Sequence, residues 1–237
     1  MQTAVFDGDD TLWETERLYD DARRAARSVV EESGLSGNLW EQRQRLIDVE
    51  NVRIFGFSPQ RFPISCAQAY EVIGTGAGVK LDDAVGEAVY EAAASVFASP
   101  APLVDGAEEI LRSLASDWRL ILLTKGAMEV QGRRIDDSGL ADYFTELRIV
   151  DRKNEEVWSK IIEEFAIEPE ASWSVGNSFH SDIQPAVSCG LSAIWIPAYV
   201  WEHEHEQADV VLPERTARLS SLREVPAFLD SQEWSER

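Results

Sequence analysis

Val5-Phe6-Asp7-Gly8-Asp9-Asp10-Thr11-Leu12 opens the chain with an abrupt change from apolar to acidic. The residues before the change, Thr3–Phe6, make an apolar run of strand length. Four more such runs follow, at residues 120–123, 147–150, 173–175 and 193–196. Helix-like segments separate the last four, at residues 106–116, Met128–Ser138, 155–165 and 182–189. Short strands that read as buried on both faces, alternating with amphipathic helices, predict a Rossmann-like α/β core of three layers, a parallel sheet between helices. In such a sheet ligands bind beyond the carboxyl ends of the strands.

The alternation breaks between residues 14 and 102. Leu18, Ala22, Ala25, Val29 and Val30 form one helical stripe, and Ala84, Ala88, Ala92 and Val96 another. Residues 51–59, with Asn51, Phe55-Gly56-Phe57 and Pro59, read as an aromatic-rich loop. A helical block of this size between the first two strands predicts a smaller inserted α-helical domain over 14–102, with the core formed by 1–13 and 103–237.

The chain carries 22 basic and 43 acidic residues, a net charge of −21. That surface repels nucleic acid and acidic membranes, so neither is an expected partner. No apolar run reaches the ~18 residues of a membrane span. No secretory signal is visible, and Cys66 and Cys189 read as thiols in a reducing compartment, so a cytoplasmic location is expected. An anionic substrate would need local positive charge at its site.

Each strand is followed by chemistry-bearing residues. After the first, two carboxylates one residue apart make a pocket that needs a cation. A hard cation such as Mg²⁺ takes oxygen ligands, and one carboxylate could attack while its neighbour handles protons. Taken alone, Asp-Gly-Asp-Asp serves equally well as a turn and helix cap. After the second come Thr124-Lys125-Gly126, a hydroxyl and a glycine-bearing turn suited to a phosphate cradle at a helix N-terminus. After the third, either Arg152 or Lys153 could supply the fixed charge of a phosphoryl-transfer site. After the fourth come Gly176-Asn177-Ser178, with Asp182 beyond, and both Asn177 and Asp182 could face a cation. Each feature alone could be a cap. All four at one sheet edge point to a site.

Together these motifs resemble the haloacid dehalogenase-like hydrolase superfamily. Phe6-Asp7-Gly8-Asp9-Asp10-Thr11-Leu12 is similar to its Phe-Asp-x-Asp-x-Thr-Leu motif. Thr124 fits the second motif, and Lys153 with Trp158 five residues on fits the third. Gly176-Asn177-Ser178-Phe179-His180-Ser181-Asp182 resembles Gly-Asp-Ser-x-x-x-Asp. The resemblance covers the core; for the inserted block it extends to position and helical character, like the family's cap domain. It implies a phosphomonoester hydrolase acting on a small phosphorylated metabolite through an aspartyl-phosphate. Asp7 would be the nucleophile and Asp9 the acid and base. Thr124, Lys125, Gly126 and Lys153 would hold the phosphoryl group, and Asp7, Asp9, Asn177 and Asp182 would hold Mg²⁺. Asp9 favours phosphate chemistry over carbon–halogen cleavage, because the family's dehalogenases typically lack an acid there. Asn177 stands where the family usually has Asp, which leaves open whether Asn177 or Asp182 is the direct ligand. The alternatives on the same core are a sugar phosphomutase and a catalytically silent binding protein.

Two weaker features remain. His203 and His205, interleaved with Glu202, Glu204 and Glu206 and with His180 as the third histidine, read as a solvated acidic loop rather than a zinc site. Arg43, Arg45, Arg53 and Arg61 are candidates for a substrate's anionic tail, each singly better read as an exposed helix charge.

Overall fold

The computed structural model describes residues 2–198 and 211–231. The histidine–glutamate stretch at 202–206 lies outside the described residues. The chain divides into two compact units, one made of Met1–Glu14 with Ala101–Arg237, the other of Thr15–Pro100.

Among the described residues of the first unit, six strands form one parallel sheet: β1 (Thr3–Phe6), β2 (Arg119–Lys125), β3 (Glu146–Val150), β4 (Ser172–Gly176), β5 (Ser192–Trp195) and β6 (Thr216–Arg218). Their order is β3-β2-β1-β4-β5-β6, each neighbour parallel to the next. The central strands are continuously apolar because each face meets its own core. Ala4 and Phe6 pack with Leu120 and Leu122 into one cluster, while Val5 packs with Ile121 and Leu123 into another. Each such Leu or Ile contributes roughly 1.5–3 kcal/mol by burial.

The connecting helices of this unit are Ala107–Leu114, Met128–Ser138, Glu155–Glu164, Gln184–Ser188 and Val225–Ser231. In chain order they are α5 to α9, since the other unit supplies α1 to α4. Three local readings differ from expectation. β3 lies at the sheet edge and is only partly buried, with Leu147 exposed. β6 is a three-residue strand, too short and polar to leave an apolar run. The helix expected from Asp182 begins at Gln184, after a wide turn, Phe179–Ile183, closed by the Gln184 N–H onto the Phe179 carbonyl. Pro185 explains this: without an N–H it cannot bond the Ser181 carbonyl, which accepts from the Trp158 indole instead at 3.0 Å.

The second unit is helical: α1 (Thr15–Glu32), α2 (Gly37–Phe55), α3 (Arg61–Gly76) and α4 (Asp83–Ala94). Ala22, Ala26, Val30, Trp40, Phe62 and Val89 lie in its core. The expected stripes hold in part: Ala22, Val30 and Val96 are buried, and Leu18, Val29 and Ala92 pack against the same core. Ala26 is buried where Ala25 is exposed, and Val89 and Ala93 are buried where Ala84 is exposed. On α4 Val buries more apolar area than Ala, so the helix turns the Val89 side inward. Residues 51–55, expected as loop, are the last turns of α2. The Asn51 amide donates to Ser65 and Gln68 on α3 rather than to its own backbone. Arg61, one of the four arginines singled out, is buried and donates to Asp48 Oδ2 at 2.7 Å. Arg45 pairs with Glu41, while Arg43 and Arg53 are exposed.

Candidate active site

The strand order reverses between β1 and β4, because β1 is followed in sequence by its neighbour on one side and later by β4 on the other. A crevice opens at the carboxyl ends of such a pair. Asp7 leaves β1 there, its N–H bonded to the Val175 carbonyl of β4 at 2.9 Å. Asn177 leaves β4 opposite. The carboxyl end of β2 brings Thr124, and the loop after β3 brings Lys153.

Lys153 is the hub. Its buried Nζ donates to Asp7 Oδ1 and to Asp182 Oδ1, the latter at 2.7 Å. Burial disfavours the ammonium, but Asp182 and Asp7 outweigh that and hold Lys153 protonated well above its ordinary range. Asp7 is pushed the other way. Burial, then the facing Asp182 carboxylate, raise its carboxyl from 3.8 to about 7, against the pull of Lys153. One ammonium does not satisfy two buried carboxylates, so the pocket favours a further positive charge.

The oxygen donors suit a hard cation. The Thr11 hydroxyl donates to Asp7 Oδ2 at 3.2 Å and stands 3.5 Å from Asn177 Oδ1, so these two oxygens approach one point. Asp182 is differently engaged: Oδ1 accepts from Lys153 and Oδ2 from the Ser178 N–H at 3.0 Å. Among the described residues no group of three or more His, Cys, Asp or Glu could hold a metal. A cation here would therefore rely on the Asn177 amide and a backbone carbonyl beside the carboxylates.

Asp182 reaches Lys153 because position 176 has no side chain. A Cβ there would fall 2.4 Å from the Asp182 carboxyl carbon and 2.5 Å from its Cβ. The wide turn is pinned by Ser174, which donates to the Asp182 carbonyl at 2.7 Å, and by Trp158. Gly176→Ala is thus expected to cost about 1–3 kcal/mol by overpacking, read as a lower midpoint in thermal unfolding.

Thr124 is fully buried, and its hydroxyl donates to Gln131 Oε1 of α6 at 3.2 Å. The Gly126 N–H donates to the Val150 carbonyl at 2.9 Å, so its amide belongs to the sheet edge. What Gly126 gives is room: at φ +151° a Cβ would lie 2.9 Å from the Gln131 amide nitrogen. Lys125 Nζ, half-buried, donates to Ser181 Oγ at 3.3 Å.

Asp9 is held from three sides. Trp13 Nε1 donates to Oδ1 at 2.7 Å, and Gln131 Nε2 and an Arg134 guanidinium N–H both donate to Oδ2 at 2.8 Å. Gln131 and Arg134 are residues that sequence reasoning missed. Both are buried and on one face of α6, three apart, a polar pair turned inward on an otherwise ordinary helix. That inward polarity was their one signal, and it is invisible until burial is known. Arg152 is exposed, whereas Lys153 is buried among the carboxylates.

Comparison with known proteins gives a consistent family. The sequence model of haloacid dehalogenase-like hydrolases matches residues 1–190. The chain is 30% identical over 130 residues to the pyrimidine 5'-nucleotidase YjjG of Escherichia coli, covering 52% of this chain and 55% of that one. The chain thus spans little more than half the length of this relative. It is 23% identical over 214 residues to a glyceraldehyde 3-phosphate phosphatase of Methanothermobacter thermautotrophicus, covering 88% and 91%. A solved haloacid dehalogenase-like family hydrolase from Xanthomonas campestris superposes with a TM-score of 0.79 at 25% identity, covering 98% and 91%.

Proposed function

Because the chain belongs to the haloacid dehalogenase-like hydrolase family, we propose that it hydrolyses phosphomonoesters of small metabolites with Mg²⁺. Asp9 carries the proposal. It is a carboxylate two residues from Asp7, oriented by three donors, and such a group is needed to move protons in ester hydrolysis. Carbon–halogen displacement needs no acid for its leaving halide. Two relatives named for phosphate-ester substrates support the same reading.

In the proposed reaction an Asp7 oxygen attacks phosphorus, and the bond to the leaving alkoxide breaks as that oxygen takes a proton from Asp9. Asp9, now a carboxylate, removes a proton from water as the water attacks the aspartyl-phosphate, and Asp7 leaves unchanged. Thr124, Lys125 and Lys153 hold the phosphoryl oxygens, and Gly126 shapes the turn that carries them. Asp7, the Asp9 carbonyl and Asn177 would hold Mg²⁺, with Asp182 behind them keeping Lys153 in place. The bound cation supplies charge that offsets the carboxylates and orients the phosphoryl group. The helical unit, inserted after the first strand, takes the part of a substrate-selecting cap. We assign the reaction to the cytoplasm; no helix among the described residues is long and apolar enough to cross a membrane.

The test is hydrolysis of 4-nitrophenyl phosphate by the purified chain. We expect turnover with Mg²⁺, loss of at least ~10²-fold on chelation, and no chloride release from 2-chloropropionate. Halide release without phosphate release would sink the reading.

A further inference from the structure

Asp9 is held by more donors than a carboxylate in a partly buried turn requires. We propose that Trp13, Gln131 and Arg134 are positioning residues that fix the Asp9 carboxylate for proton transfer, and that Gln131 ties this group to the phosphoryl-holding Thr124. The proposal rests on the phosphatase reading above.

The geometry is a three-donor clamp. Trp13 Nε1 takes one carboxylate oxygen at 2.7 Å, while Gln131 and Arg134 take the other, each at 2.8 Å. Two donors on one oxygen and a third on its partner fix both the rotation and the tilt of the carboxylate. All three side chains are themselves buried, with Trp13 1%, Gln131 2% and Arg134 9% exposed, so their own rotamers are set by packing.

Gln131 does more than one task. Its amide nitrogen also donates to the Lys125 carbonyl at 3.1 Å, and its amide oxygen accepts from the Thr124 hydroxyl at 3.2 Å. One side chain therefore bridges the end of β2, where the phosphoryl group is to be held, and the acid–base group beside β1. Gly126 leaves the space for it. A shift of either partner would be passed to the other through this amide. Misplacing a reacting group by about 1 Å can cost on the order of 100-fold in rate, so a clamp of this kind bears on turnover more than on substrate affinity.

The two chemical steps separate the clamp from a merely structural role. Nitrophenolate leaves without needing a proton, so the first step on 4-nitrophenyl phosphate tolerates a misplaced Asp9. The second step still needs Asp9 to take a proton from water. In Gln131→Leu and Arg134→Met we therefore expect steady-state kcat to fall about 10–100-fold, with KM falling in step as phosphoenzyme accumulates, so that kcat/KM stays within about threefold. A burst approaching one equivalent of nitrophenolate should appear, together with a hydroxylamine-sensitive phosphoenzyme. With an alkyl phosphate, whose leaving group needs the proton, the rate should fall further and no burst should appear. Arg134→Lys should recover part of the loss, and Trp13→Phe serves as the independent variant if either first substitution prevents folding. Asp9→Asn is the reference. If Asp9→Asn accumulates phosphoenzyme while folded Gln131→Leu and Arg134→Met turn over within twofold of the wild type, the clamp is wrong and the phosphatase reading survives. If neither wild type nor Asp9→Asn ever forms phosphoenzyme or releases nitrophenolate, the phosphatase reading fails and the clamp falls with it.

Discussion

Asp7→Asn is expected to lower kcat on 4-nitrophenyl phosphate by roughly 10⁴-fold or more while leaving the fold in place, and to stabilise the metal-free protein at pH 8. The first part follows from the loss of the attacking oxygen's charge in a side chain of the same shape. The second follows from electrostatics. Burial and Asp182 raise the Asp7 carboxyl from 3.8 to about 7, so the folded protein holds its proton more tightly than the unfolded chain does. Such a group contributes its stability at acid pH, below the unfolded value, and loses it as pH rises through about 7. Between about pH 4 and pH 7 the metal-free wild type should therefore lose on the order of a few kcal/mol, and Asp7→Asn should remove much of that slope. Added Mg²⁺ should stabilise the wild type more at pH 8 than at pH 5, because the cation binds the ionised carboxylate. Thermal unfolding at pH 5, 7 and 8, with and without Mg²⁺, reads all of this. Full activity in Asp7→Asn, or a variant less stable than the wild type at pH 8 without metal, would contradict the assignment.

The core was legible because its rules are local. A strand covered on both faces must be apolar at every position, and Ala4-Val5-Phe6 and Leu120-Ile121-Leu122-Leu123 satisfy both neighbouring clusters. Polar residues just after such strands must lie at one edge of a parallel sheet; Asp7, Lys153, Asn177 and Asp182 do gather there, and Thr124 is linked to Asp9 through Gln131. Residues off the strand ends were not legible. Gln131 and Arg134 sit within α6, where sequence alone reads a polar residue as solvent-facing, and Arg61 on α3 was read the same way although it pairs inward with Asp48. The wide turn at Phe179–Ile183 was missed because a helical pattern does not reveal which carbonyl Pro185 leaves free for Trp158. Residues 51–55 were misread for the opposite reason. Asn51 carries a strong turn preference, and its side chain spends that hydrogen-bonding capacity on the neighbouring helix.

Lys153→Met should be the most damaging single change to the unoccupied-by-substrate enzyme. The side chain is buried between Asp7 and Asp182, and methionine matches its length without the charge. Removing one partner of a buried ionic group leaves uncompensated charge, at a cost of about 3–5 kcal/mol. For a chain of this size that corresponds to a fall of roughly 6–20 °C in unfolding midpoint. The loss should depend on pH in a definite direction. Without the ammonium nothing from Lys153 opposes the burial and repulsion that raise the Asp7 carboxyl, so it should hold its proton to still higher pH. Near pH 4, where a protonated Asp7 needs no counter-charge, the deficit should shrink; near pH 8 it should be largest. Activity should fall about 10³-fold or more even at saturating Mg²⁺, because the cation cannot take over the fixed charge that Lys153 presents to the phosphoryl group. A deficit that stays constant from pH 4 to pH 8 would mean that Lys153 acts by packing alone, and the charge balance argued for this pocket would be wrong.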